Sequence, residues 1–258
     1  AVVITKNEEA NIARCLASLK GVADEVIVVD SGSTDSTCEL ALAVGARVVT
    51  HAFQGHIEQK NWARQEAHGE FVLSLDADEA LDDVLRKDLM AWRADGDRQE
   101  GADGWIVNRL TNYCGHWVRH SGWYPDRKLR LWRKDAGAWG GVNPHDRFEL
   151  LPGGQEARLT GDLLHYSYNS RADHLKQIAY FSDIAADALS RSGREAGWAL
   201  AAGKVVFQWL KTYVLRGGFR DGQTGWTIAC LSARATRVKY GKLRRLNLAR
   251  RRLKAGGR

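Results

Sequence analysis

The sequence predicts an α/β fold: a mostly parallel, doubly wound, twisted sheet with helices on both faces, plus a helical C-terminal extension. Three observations carry this. From Val2 to Leu75, short β-branched runs alternate with amphipathic helical stretches, the pattern of a parallel sheet wound with helices. The run Phe71-Val72-Leu73-Ser74-Leu75 is too apolar for a half-exposed hairpin and reads as a central strand covered on both sides. From Ala172 onward the apolar spacing is helical.

Taken in order, Val2 to Ile4 form the first strand, and Asn7-Glu8-Glu9 opens a helix whose Ile12, Leu16 and Leu19 share one face before Gly21. Val26 to Val29 form a second buried strand that delivers Asp30 at its tip, ahead of Ser31-Gly32-Ser33-Thr34-Asp35. Ser36 and Glu39 have capping-box spacing for the next helix, with Ser33 as an alternative cap, and Gly45 stops it. Val48 and Val49 make a third strand, residues 56–68 a helix ended by Gly69, and Phe71 to Leu75 the central strand. Leu85, Leu89 and Trp92 mark a further helix, Asp95 to Asp103 a polar loop, and Trp105 and Val107 begin another strand. Leu175, Ile178, Ala185 and Leu189 lie on one amphipathic helix, and Ala199 to Leu215 on a second that ends at Gly217-Gly218.

With 258 residues the chain can bury a full core without staples. The four cysteines, Cys15, Cys38, Cys114 and Cys230, are far apart and read as reduced thiols of a cytoplasmic protein. The formal charge of +7 is local in origin, because residues 234–258 carry eleven Lys or Arg and no acid. Without them 27 basic residues face 31 acidic ones. Such a tail suits nucleic acid, anionic lipid or solubility. No signal-peptide pattern and no membrane-spanning apolar run is present. The chain starts in a strand without methionine, so a few residues are expected to precede Ala1.

The chemistry concentrates where the central strand runs into Asp76, Asp78 and Glu79. Ligands of open α/β sheets bind outside the carboxyl ends of strands. Carboxylates spaced one residue apart there can share a hard cation, Mg2+ or Mn2+, through oxygen. His165, at another strand end, is a candidate third metal or diphosphate contact. Between Asn112 and Trp139 the chain interleaves aromatic and polar residues, among them Trp117, Arg119, Trp123 and Tyr124. Rings beside hydrogen-bonding side chains suit a sugar, with its apolar face and polar edge, although some of these rings are expected simply to pack over the sheet.

Three stretches in order, Val3-Ile4-Thr5-Lys6-Asn7-Glu8-Glu9, Val28-Val29-Asp30-Ser31-Gly32-Ser33-Thr34-Asp35 and Leu75-Asp76-Ala77-Asp78-Glu79, closely resemble family 2 glycosyltransferases of GT-A fold. The likeness continues through Lys60-Asn61-Trp62-Ala63, Arg130-Leu131-Trp132-Arg133, Val142-Asn143-Pro144-His145-Asp146 and Gly217-Gly218-Phe219-Arg220-Asp221-Gly222. In detail the chain is similar to bacterial lipopolysaccharide inner-core glucosyltransferases.

The resemblance implies roles residue by residue. Thr5 and Glu9 would line the nucleotide pocket, Asp30 would accept from the uracil ring, and Lys60 and Asn61 would add donor contacts. Asp76 would lie near ribose and metal, and Asp78 would hold a divalent ion against the diphosphate. The general base falls on Asp146, with Glu149 as the alternative, because this chain has His-Asp after Asn143-Pro144 where many relatives have His-Glu.

We therefore expect a GT-A catalytic domain over residues 1–170, its donor half about 1–80 and its acceptor half about 81–170, followed by a helical basic region, 171–258, for packing and for association with an anionic membrane surface. The expected activity is inverting, metal-dependent transfer of a hexose, glucose from UDP-glucose, to a lipid-linked saccharide. The expected location is cytoplasmic, peripheral on the inner membrane. Another donor sugar, a protein or polysaccharide acceptor, a nucleotidyltransferase and a nucleic-acid-binding module are the rival readings. Against the last, Tyr240 is the only aromatic in the basic tail, so nucleic acid is not an expected partner.

Overall fold

The computed structural model describes residues 1–142, 145–195 and 197–256, with side chains up to Arg250 apart from those of Val142 and His145. The chain divides into two compact units. One comprises Ala1–Leu110 and Pro125–Tyr166, the other Thr111–Tyr124 and Ser167–Arg258.

The first unit opens with β1 (Val2–Thr5), α1 (Ile12–Ser18), β2 (Ile27–Asp30), α2 (Thr37–Ala43), β3 (Arg47–Thr50), α3 (His56–Glu66) and β4 (Phe71–Asp76). These four strands pair in parallel in the order β3-β2-β1-β4, with Val3 level with Val28 on one side and Leu75 on the other. Then follow β5 (Glu79–Leu81), α4 (Asp83–Ala94), α5 (Gly96–Glu100) and β6 (Gly104–Tyr113). After β7 (His116–Trp117) come β8 (Asp126–Arg133), β9 (Gly137–Val142), β10 (His145–Leu150) and β11 (Glu156–Tyr168). Beyond β4 the sheet continues as β8-β6-β11-β5, and the β4/β8, β6/β8 and β11/β5 pairs are antiparallel. β9 and β10 form a separate antiparallel ribbon.

The strand pleat sorts the apolar residues to two sides. Val3, Val28 and Leu75, all fully buried, join Ile12 and Leu16 of α1 and Leu85 and Leu89 of α4. Val2, Ile27 and Val29 face Ala63 of α3 and the rings of Trp132, Trp139 and Phe148. Burial of each large side chain contributes about 1.5–3 kcal/mol. Helices on both faces are what the near-continuous apolar strands demanded.

Local expectations fail at two places for a physical reason. Asn7 takes a left-handed conformation (φ 54°), so the first helix starts only at Ile12. The side chain of Asn7 instead accepts from the Thr34 amide at 2.8 Å, and its own amide donates to Ser33 Oγ at 2.8 Å. At α2, Ser36 has near-helical backbone angles and makes no capping bond with its side chain. Asp35 caps instead, its Oδ1 accepting from the Thr37 amide at 3.1 Å.

The second unit contains β7 and three long helices: α6 (Arg171–Arg191), α7 (Trp198–Leu210) and, after a π-helical turn (Lys211–Leu215) and a 3-10 turn (Gly218–Asp221), α8 (Gly222–Gly256). Asp221, buried, accepts from the amides of Arg119 and His120 and from the Ser121 hydroxyl. Gly217 sits at φ 65°, and a Cβ on Gly218 would lie 2.7 Å from the Thr212 carbonyl oxygen. The Gly217–Gly222 stretch is thus a knot that ties residues 119–121 to the start of α8. Tyr113, Val118 and Ile228 form the adjoining core, with Trp123 and Tyr168 against it.

The basic run that began as a tail is largely a packed helix. Leu243 is buried, Lys242 pairs with Asp183 at 2.7 Å and donates to the Ala179 carbonyl, and Arg250 donates to the Ser190 carbonyl of α6.

Candidate active site

Three parallel strands end side by side, and each carries a polar residue at its carboxyl end: Thr5 on β1, Asp30 on β2 and Asp76 on β4. Thr5 Oγ1 is buried and has no hydrogen-bond partner among the described residues, an orphan that marks an unfinished polar pocket. Asp30 is nearly inaccessible, and its Oδ2 accepts from the amides of Gly32 and Ser33, both at 2.9 Å. Asp30 therefore shapes the Ser31–Asp35 loop. Glu9, on the facing segment, accepts from the Ser36 amide at 3.1 Å.

At Asp76 the structure assembles a network that no local pattern announces. Lys60, from α3 and nearly fully buried, places its ammonium 3.0 Å from Asp76 Oδ1 and 2.7 Å from Asp146 Oδ2, with the Trp139 ring centre 4.5 Å away. Arg130, on β8, lies 3.2 Å from Asp76 and 2.6 Å from Glu79. Burial works against the charged form of Asp76, but Lys60 and then Arg130 outweigh it and hold the carboxyl well below the usual range. Burial likewise opposes the charge of Arg130, and Glu79 followed by Asp76 pushes the guanidinium further up.

Along β10 side chains alternate, so Asp146 and Phe148 share the inward face while Arg147 and Glu149 point outward. Phe148 is buried, whereas Glu149 is exposed and paired with Arg147 at 2.7 Å. Asp146 joins the Lys60 network and Glu149 does not. The Asn143-Pro144 step between the two candidate alignments lies outside the described residues.

Glu79 departs from the expectation of a shared cation site. Its side chain is completely buried, accepts from the Asp76 amide at 3.0 Å and pairs with Arg130, so it faces the core. Asp78 is the more open carboxylate, and its Oδ2 lies 3.2 Å from His165 Nε2. The register brings them together: His165 of β11 is level with Glu79, and the Tyr166 amide donates to the Asp78 carbonyl at 2.9 Å. Among the described residues no group of three or more His, Cys, Asp or Glu is arranged to hold a metal ion.

Asn61 is engaged by the Trp139 backbone. Its amide bonds the Trp139 backbone at both ends, donating to the carbonyl and accepting from the amide, each at 2.9 Å. The four aromatic-region candidates, Trp117, Arg119, Trp123 and Tyr124, belong to the second unit. Trp123 packs on Tyr113 and Tyr168, and the Arg119 guanidinium lies 5.6 Å from the Tyr124 ring centre.

The residues that sequence reasoning passed over are Arg130 as a charge partner and Lys60 as a bridge between carboxylates. A signal existed for the first: Arg130 alternates with the buried Trp132 on β8. An arginine on a buried strand face requires a carboxylate partner.

The glycosyl transferase family 2 model matches residues 1–145, more than half of the chain. The chain belongs to glycosyl transferase family 2. This glycosyltransferase is 29% identical over 253 residues to an uncharacterised glycosyltransferase of Rickettsia typhi, covering 95% of this chain and 86% of that protein. It is 28% identical over 239 residues to LpsC of Rhizobium meliloti, a lipopolysaccharide core biosynthesis glycosyltransferase, covering 90% and 87% of the two chains. Among solved structures, Staphylococcus aureus TarS in complex with UDP-GlcNAc overlays with a TM-score of 0.46 at 17% identity, covering 97% of this chain and 90% of that one. The glycosyltransferase is an enzyme that uses a nucleotide-sugar donor, and the strand ends with Thr5, Asp30 and Asp76 all lie inside the stretch that matches the family.

Proposed function

We propose that this glycosyltransferase moves a hexose, glucose from UDP-glucose, onto a lipid-linked lipopolysaccharide core saccharide by direct, inverting displacement at the cytoplasmic face of the inner membrane. The observation that carries the reading is the Lys60 ammonium, which holds Asp76 at the end of β4 and Asp146 on β10 within reach of one another. The likeness to LpsC supports the core-saccharide acceptor.

In this reading Thr5, Glu9 and Asp30 border the nucleotide. Asp146, positioned by Lys60, takes the proton from the attacking acceptor hydroxyl. Asp76, fixed by Lys60 and Arg130, orients the donor beside it. A divalent cation would be held by Asp78 and His165, which lie 3.2 Å apart, while Asp76 is already engaged by two cationic side chains. Such an ion supplies neutralisation of the charge that grows on the leaving diphosphate. Trp117, Arg119, Trp123 and Tyr124 of the second unit are the proposed saccharide-binding residues.

A donor screen with purified protein, following UDP or GDP release with and without Mn2+, tests the reading. UDP-glucose turnover that depends on the ion is expected. Asp78→Ala and His165→Ala should each weaken Mn2+ binding in the presence of UDP, read by electron paramagnetic resonance independently of turnover. Full UDP-glucose turnover in excess chelator, or unchanged Mn2+ binding by both variants, would sink the metal assignment. Turnover of a different nucleotide sugar alone would replace the donor.

A further inference from the structure

The outward face of α7 runs against the usual rule for a surface helix. Spacing along the helix turns Ala201, Val205 and Trp209, all half-buried, toward one side, and Leu200, Val206, Phe207 and Leu210 toward the other. Those four are 53%, 60%, 54% and 43% exposed, and the face continues through Val214 and Leu215 of the π-helical turn. A contiguous exposed patch of large apolar side chains marks a surface that something covers.

The charge around it narrows what that is. From Gly197 to Arg250 the sequence holds eleven Lys or Arg and one acid, Asp221. Asp221 is buried in the knot at residues 119–121, so it offsets none of the outward charge. A groove of about 390 Å³ lies between α7 and α8, with an apolar wall of Trp198, Val205 and Val206 facing Arg237, Tyr240 and Arg244. Among the described residues neither guanidinium, that of Arg237 or of Arg244, has an ion-pair partner. Trp209, Tyr213 and Trp226 cluster at ring-centre distances of 5.0–5.4 Å at the far end of α7, the amphipathic ring type that settles at a bilayer interface.

We infer that the outward face of α7 and the π-helical turn docks in the interface of an anionic phospholipid bilayer, with Arg237 and Arg244 taking lipid phosphates at the mouth of the groove. The inference deepens the peripheral-membrane part of the proposed function. An anionic bilayer offers both things this surface lacks, apolar cover and negative charge. A second copy would bring one basic surface against another, and a nucleic-acid backbone would leave Phe207 and Leu210 in water. No helix among the described residues is long and apolar enough to cross a membrane, so the contact lies in the interface plane.

The test uses the full chain and vesicles of phosphatidylcholine with and without phosphatidylglycerol, by cosedimentation at low and high salt. The wild type should bind the anionic vesicles. Phe207→Gln with Leu210→Gln should weaken binding by about tenfold or more, since two apolar side chains no longer leave water. Arg237→Gln with Arg244→Gln should cost roughly fivefold per residue and erase the preference for anionic lipid. If the first pair disturbs the helical circular dichroism, Val214→Gln with Leu215→Gln probes the same face. Equal binding by wild type and both face variants would overturn the inference. So would self-association of the wild type in sedimentation velocity that the Phe207/Leu210 variant abolishes, which would make a second copy the occupant. Turnover of UDP-glucose on a soluble acceptor separates the two claims: a wild type that turns over donor but ignores vesicles defeats the docking surface and leaves the transferase reading standing. One that binds vesicles and turns over no nucleotide sugar does the reverse.

Discussion

Lys60 presents one ammonium to two carboxylates, and its value to each differs. At Asp146 the contact is 2.7 Å and Lys60 is the cation that makes it, while at Asp76 the ammonium shares the carboxylate with Arg130. Asp146→Asn preserves size but cannot take a proton, so kcat should fall by roughly 10²- to 10⁴-fold with donor binding little changed. Glu149→Gln should do far less, because Glu149 faces outward and, among the described residues, pairs with Arg147. Steady-state kinetics on both variants check this, and a reversed order would move the base to Glu149. Glu79 and Arg130 are buried partners, so Glu79→Gln leaves the guanidinium with Asp76 as its remaining carboxylate and should destabilise the fold by about 1–3 kcal/mol in denaturant titration. Asp76 adds a pH dependence. Its carboxyl titrates below its unfolded value of about 3.9, so the stabilisation is full above that value and lost as the pH falls toward the lower folded one. Asp76→Asn should flatten the acid limb of a melting-temperature profile.

Single elements carry sharper constraints than their sequences advertise. A Cβ on Gly225, in the first turns of α8, would come 1.8 Å from the carbonyl oxygen of Gly218, whereas Gly241 in the same helix has open space around it. Gly225→Ala should therefore lower stability by about 1–3 kcal/mol, and Gly241→Ala raise it by up to about 1 kcal/mol. Thermal melts of the two variants, moving in opposite directions, decide the point. At the start of α6, His174 Nδ1 lies 3.2 Å from the Tyr113 hydroxyl, and burial pushes the imidazole below its ordinary value. A lowered folded value means that the unfolded chain binds more protons in between, so the second unit should lose stability as the pH falls through about 6.5. His174→Gln should remove that slope.

For the whole molecule, the basic run is the clearest case of two levels disagreeing. As composition it is a tail, yet Lys242, Leu243 and Arg250 are built into the packing of α8 on α6. Removing residues 234–258 should therefore unfold the second unit, not merely release it from lipid. Loss of helical signal together with vesicle binding in that truncation, against retained fold in the surface variants, checks the distinction. The parallel strands and the carboxylates at their tips were legible from residue types alone, because strand periodicity is local and a charge after an apolar run must leave the sheet. Family membership was legible for a related reason: Thr5, Asp30 and Asp76 sit at fixed places relative to their own strands. Tertiary structure alone decided which acids are engaged and which are open. Lys60 meets Asp146 from 86 residues away and Arg130 meets Asp76 from 54 away, and no local window contains both partners of such a pair. It also decided that Glu79 turns inward, that Asn61 holds the Trp139 backbone, and that α7 turns its apolar face outward. Helical spacing defines a face, but only the packing against α8 selects which face is buried.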